Sequence, residues 1–101
     1  MTSDSYRTTF RFAADHPSLP GHFPGRPLVA GVLLLEQVAL ALRAWRGERL
    51  ACVREAKFVA PLAPEQTAEL QLTPAGAQVR FELRREGALL ARGVVEGAAE
   101  A

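Results

Sequence analysis

The sequence predicts an α+β domain in which an antiparallel β-sheet wraps around one central apolar helix. Three observations carry this. A single segment, Gly31 to Arg46, is rich in helix formers and free of internal Gly and Pro. Five other segments read as strands, most of them alternating apolar and polar residues. Turn residues separate consecutive strands near the C-terminus, which makes them hairpins. At 101 residues the chain holds one domain, since that length leaves no room for a second core.

The first strand is expected around Tyr6 to Phe12, where Tyr6, Thr8, Phe10 and Phe12 share a face opposite polar residues. From Asp15 to Pro27 the chain carries Pro17, Pro20, Pro24 and Pro27 with Gly21 and Gly25, a density of constrained or unusual backbone angles that excludes regular structure. The helix Gly31 to Arg46 should span about 24 Å. Apolar residues surround most of its circumference, so it must be covered on nearly all sides. Arg43 and Arg46 suit the negative end of the helix dipole, and Gly47 stops it.

Four strands follow: Ala51 to Val59, Thr67 to Thr73, Gln78 to Arg85 and Ala88 to Val95. Val79, Phe81 and Leu83 alternate with Arg80, Glu82 and Arg84, the pattern of a sheet with one wet face. Turns are expected at Pro74-Ala75-Gly76 and Glu86-Gly87, and residues Gly97 to Ala101 should fray. So small a sheet can neither enclose the helix nor close on itself. The remaining apolar surface and the sheet edges are therefore expected to meet a second copy of the chain.

Composition narrows the function classes. Hydrophobic residues at 49% and charged residues at 23% exclude disorder and disulfide scaffolds. A net charge of +1 from 12 basic and 11 acidic residues supplies no field for nucleic-acid phosphates or an anionic membrane. Cys52 is the only cysteine, so neither an internal disulfide nor a multi-cysteine metal site can form, and a reducing compartment fits. The polar N-terminus lacks the apolar core of a secretory signal, and the apolar stretch Leu28 to Leu42 is interrupted by Glu36 and Gln37. A cytoplasmic protein is expected.

The chemistry concentrates in Gly21 to Glu36. His22 lies in the Pro/Gly loop, and imidazole is the side chain best suited to move protons near neutral pH, although a lone loop histidine can equally be a surface residue. Glu36 has apolar helical neighbours in Val32, Leu33, Ala39 and Leu40. Taking a carboxyl out of water favours its protonated acid, which suits proton donation; the alternative is a glutamate satisfied by an arginine or a dimer partner. Gly31 stands where the loop becomes helix, so its N–H belongs to the unpaired first turn and could hold an oxyanion, or the glycine could simply relieve crowding. A base, an acid and an oxyanion-holding N–H describe proton abstraction beside a carbonyl with loss of a leaving group from the next carbon, as in dehydration of a 3-hydroxyacyl thioester.

The segment Gly21-His22-Phe23-Pro24-Gly25-Arg26-Pro27-Leu28-Val29-Ala30-Gly31-Val32-Leu33-Leu34-Leu35-Glu36 resembles the motif G-H-F-P-G-x-P-x-x-P-G-V-x-x-x-(E/D) of the (3R)-hydroxyacyl-acyl carrier protein dehydratases of FabA/FabZ type. Lys57-Phe58-Val59-Ala60-Pro61-Leu62-Ala63-Pro64 is similar to that family's K-F-x-x-P-V-x-P, and Asp15-His16-Pro17-Ser18-Leu19-Pro20 resembles the short ApeI-like dehydratases of aryl polyene and xanthomonadin clusters. The resemblance implies a hotdog fold with the active site at a dimer interface. It implies that His22 removes the C2 proton, that Glu36 of the opposing subunit assists departure of the C3 hydroxyl, that the Gly31 N–H holds the thioester oxygen, and that Phe23 shapes the tunnel mouth. Substrates would be thioesters of acyl carrier protein or coenzyme A, and neither metal nor redox cofactor is implied. The chain departs from the pattern at Ala30, where the family has Pro, and at Gln37 and Pro64-Glu65-Gln66.

Two other functions remain compatible with the sequence: hydrolysis of an acyl thioester with Glu36 activating water, and a catalytically silent hotdog subunit or acyl-binding protein paired with another hotdog chain. The remaining candidates have plainer readings. Cys52 reads as a small buried residue, Trp45 as packing, and Phe58 and Phe81 as core or tunnel wall. Arg43, Arg46, Arg49, Arg54 and Lys57 form either a docking patch for an acidic carrier or a solvated surface.

Overall fold

The computed structural model describes residues 5–12, 31–63 and 65–99. Strand β1 (Tyr6–Phe10) precedes helix α1 (Gly31–Arg46), and strands β2 (Glu48–Phe58), β3 (Ala68–Ala75), β4 (Gln78–Arg85) and β5 (Ala88–Ala99) follow. All five strands join one antiparallel sheet in the order β1-β3-β4-β5-β2. The helix packs across one face of this sheet. Leu33, Leu34, Val38, Ala41 and Leu42 of α1 are buried with Leu70 and Leu72 of β3, Val79, Phe81 and Leu83 of β4 and Val95 of β5.

Local chemistry explains the boundaries. Gly47 ends α1 with φ +67, and its N–H donates to the Arg43 carbonyl at 2.8 Å, a left-handed helix cap. The β4–β5 hairpin turns through Glu86 and Gly87, both at positive φ (51 and 84), as a tight two-residue hairpin requires. Tyr6 stacks on Trp45 with ring centroids 6.3 Å apart, tying β1 to the end of the helix. Gly93 of β5 lies opposite Phe81; a Cβ there would meet the Phe81 ring and the Glu55 carbonyl oxygen, so only glycine lets the sheet close down on that ring.

Several expectations need correction. The segment from Gly97 does not fray: β5 continues to Ala99, with Gly97, Ala98 and Ala99 opposite Leu50, Arg49 and Glu48. Pro74 and Ala75 belong to β3, and the turn falls on Gly76 and Ala77. The sheet covers one face of α1, and Val32 and Leu40 on another face remain 69% and 58% exposed, the apolar surface that is expected to meet a second copy.

Candidate active site

Gly31 opens α1 beside an apolar cleft of about 370 Å³ lined by Leu34, Phe58, Val59, Ala60, Pro61 and Leu62. The cleft lies where the end of β2 passes the helix N-terminus. Gly31 is not among the residues with positive φ, so its backbone angle does not demand glycine. The Phe58 ring crowds the position instead: a Cβ would lie 3.0 Å from Phe58 Cζ and 3.2–3.3 Å from the two Cε atoms. Phe58 is itself 47% exposed, so it is not a core residue, and it lines the cleft instead.

Glu36 sits five positions further along α1, about 7.5 Å along the helix axis. Glu36 is exposed, as are Val32 and Leu40, its neighbours one turn before and after, whereas Leu33 points into the core. The sheet covers the opposite face, so among the described residues nothing removes this carboxyl from water. Among the described residues no arginine pairs with Glu36, which leaves the carboxyl at the centre of an uncovered apolar stripe. His22 and Phe23 lie outside the described residues, as do His16, Ala30 and Pro64.

Elsewhere the polar chemistry is structural. On the opposite face of the sheet, Arg54 Nε donates to Glu96 Oε2 at 2.6 Å and Gln78 Nε2 donates to the same oxygen at 3.1 Å. These hydrogen bonds, Arg54 first, hold the Glu96 carboxyl below its ordinary range, and the Glu96 hydrogen bond and charge raise Arg54. The Arg46 guanidinium lies 4.1 Å over the Trp45 ring. Arg43, Arg46 and Arg54 of the basic stretch thus each have a partner within the chain. A larger groove of about 490 Å³ runs along β1, β3 and β4 past Arg7, Thr9, Glu69 and Glu82, remote from Gly31 and Glu36 and with mixed charges on its walls. Among the described residues no three His, Cys, Asp or Glu side chains converge as a metal site requires, and Cys52 is half-buried.

One loop, one helix start and one helix carboxyl are thus the parts to compare with known proteins. The family model for ApeI-like proteins, described as ApeI dehydratase, matches residues 1–94. The chain belongs to the ApeI-like dehydratase family. Among solved structures, this ApeI-like chain is similar to one chain of the dehydratase heterocomplex ApeI:P from Xenorhabdus doucetiae, at 19% identity and a TM-score of 0.82, with 96% of this chain and 89% of that one covered. It is also similar to an N-terminal dehydratase from the difficidin assembly line (14% identity, TM-score 0.77, 100% of this chain and 40% of that one). A third is the fluoroacetyl-CoA thioesterase FlK (16% identity, TM-score 0.70, 97% and 86%). No curated protein matches the chain. At these identities the structures establish the hotdog fold, which dehydratases and thioesterases share. Among the described residues no helix is long and apolar enough to cross a membrane.

Proposed function

We propose that this chain dehydrates 3-hydroxyacyl thioesters to trans-2-enoyl thioesters, with the acyl group carried by an acyl carrier protein or coenzyme A. His22 takes the proton from C2, and the electron pair moves into the thioester carbonyl. The negative charge that develops on the carbonyl oxygen is held by the Gly31 N–H at the positive end of α1. As the C2–C3 double bond forms, the C3–O bond breaks, and the carboxylic acid of Glu36 gives its proton to the departing hydroxide, releasing water. Glu36 acts from the opposing subunit, while Phe23 stands at the mouth of the acyl tunnel. The cycle closes when the imidazolium loses its proton and the carboxylate regains one.

The observation that carries this reading is Glu36 itself: a carboxyl in the middle of an exposed apolar helix face, between Val32 and Leu40. A second hotdog chain laid over that face would remove Glu36 from water and favour the acid form that the reaction needs. That chain is a second copy of this one or a related hotdog subunit; the similar ApeI:P is itself a dehydratase heterocomplex. His22→Ala and Glu36→Gln should each lower turnover of a 3-hydroxyacyl thioester by about 10²–10⁴-fold while the assembly keeps its mass by light scattering. Full activity in either variant rejects the assignment. Release of free thiol without an enoyl product would indicate a thioesterase, and activity of a mixture with a second hotdog chain that survives both substitutions in this one would indicate a silent subunit.

A further inference from the structure

Phe58 ends β2 with nearly half of its surface exposed, and the tip of its ring lies against Gly31. The backbone that follows it is firmly held. The carbonyl of buried Leu90 accepts hydrogen bonds from both the Val59 N–H, at 2.7 Å, and the Ala60 N–H, at 3.1 Å. With its backbone fastened to β5 and only two side-chain torsions, the ring has few other places to go. Gly31 has a backbone angle open to any residue, and the nearest atoms that a Cβ there would meet are those of the Phe58 ring.

We propose that Phe58 is a positioning residue for Gly31. Resting on the proposed dehydratase reading, the ring presses on the first helical residue, fixes the opening turn of α1 against β2, and so sets the direction of the Gly31 N–H toward the thioester oxygen. Stabilisation of an oxyanion depends on where the donor points when charge develops, and a misplacement of about 1 Å costs about 100-fold in rate. Phe58 acts through Gly31 and needs no contact with the reacting atoms.

The test uses the full chain as Gly31→Ala, Phe58→Ala and the double variant, each followed by thermal unfolding and by steady-state kinetics on a 3-hydroxyacyl thioester. Gly31→Ala should lower Tm when Phe58 is present, because its Cβ meets the ring. With Phe58→Ala it should be neutral or raise Tm, because alanine is the better helix former once the space is open. Phe58→Ala should lower kcat and kcat/KM together by about 10–100-fold with KM unchanged. A rise in KM alone would make Phe58 a substrate contact, and unchanged kinetics of the folded enzyme would make it a fold element; either result overturns the proposal. The same Tm change for Gly31→Ala in both backgrounds overturns it as well, leaving the dehydratase reading untouched. No turnover by the natural chain, with the sign reversal in Tm present, overturns the dehydratase reading instead and leaves the contact as a helix anchor.

Discussion

The two faces of α1 are built from the same kinds of residue and end in opposite surroundings. Leu34, Val38 and Leu42 are at most 3% exposed against the sheet, while Val32 and Leu40 on the other face stand more than half exposed with Glu36 between them. Burial in the core requires only apolar side chains at helical spacing. A carboxyl is taken out of water only by a further covering element, and the five strands among the described residues do not provide it. The inner face therefore holds the protomer together, and the outer face is the one through which a second hotdog chain would complete a site.

Variants on each face can break that contrast. The largest effect belongs to the inner face: Leu42→Ala, at a fully buried position, should cost about 2–5 kcal/mol, read as a fall in the denaturation midpoint. A smaller loss would mean that the core collapses into the space. On the outer face, Leu40→Gln keeps a good helix former and should leave the far-UV spectrum unchanged. It should weaken association by about 1.5–3 kcal/mol per protomer, read by sedimentation at falling protein concentration; undiminished association would place the partner elsewhere. The smallest effect lies away from the helix. The Glu96 carboxyl is held below its ordinary range by Arg54 and Gln78, so its stabilising contribution is present above the unfolded carboxyl range and disappears as pH falls through its lowered folded value. Glu96→Gln should therefore lower stability slightly near neutrality, lose that effect as pH falls through the carboxyl range, and so flatten the acid limb of the stability profile. An equal loss at all pH values would point to packing instead.

Much of this architecture was legible in the residues. The helix runs from Gly31 to Arg46 and β4 from Gln78 to Arg85, as their patterns predict, because caps and alternation are local signals. Strand β2 begins at Glu48 rather than Ala51, and β5 continues to Ala99, because these ends are held by pairing with each other across the sheet. Neither Glu48-Arg49 nor Gly97-Ala98-Ala99 carries alternation of its own. At the site, the place of Gly31 at the start of the helix could be read from the Pro-rich loop before it. The contact with Phe58 could not, since the ring reaches it from another element; the nearest sequence signal is the Lys57-Phe58-Val59-Ala60-Pro61 stretch. Which face of α1 the sheet covers is equally a tertiary matter, and the helical neighbours of Glu36 do not tell it by themselves.

Among the described residues, strand β2 pairs only with β5, in a register that runs from Phe58 opposite Ala91 to Glu48 opposite Ala99. A ribosome delivers β2 early and its partner last. Until β5 emerges, β3 and β4 can zip locally, but β2 has no neighbour on either side and the inner face of α1 has only part of its cover. Completion of the protomer thus waits on a late, long-range closure, and a nascent chain stalled before that closure presents an open edge next to a greasy helix, the kind of surface that chaperones bind.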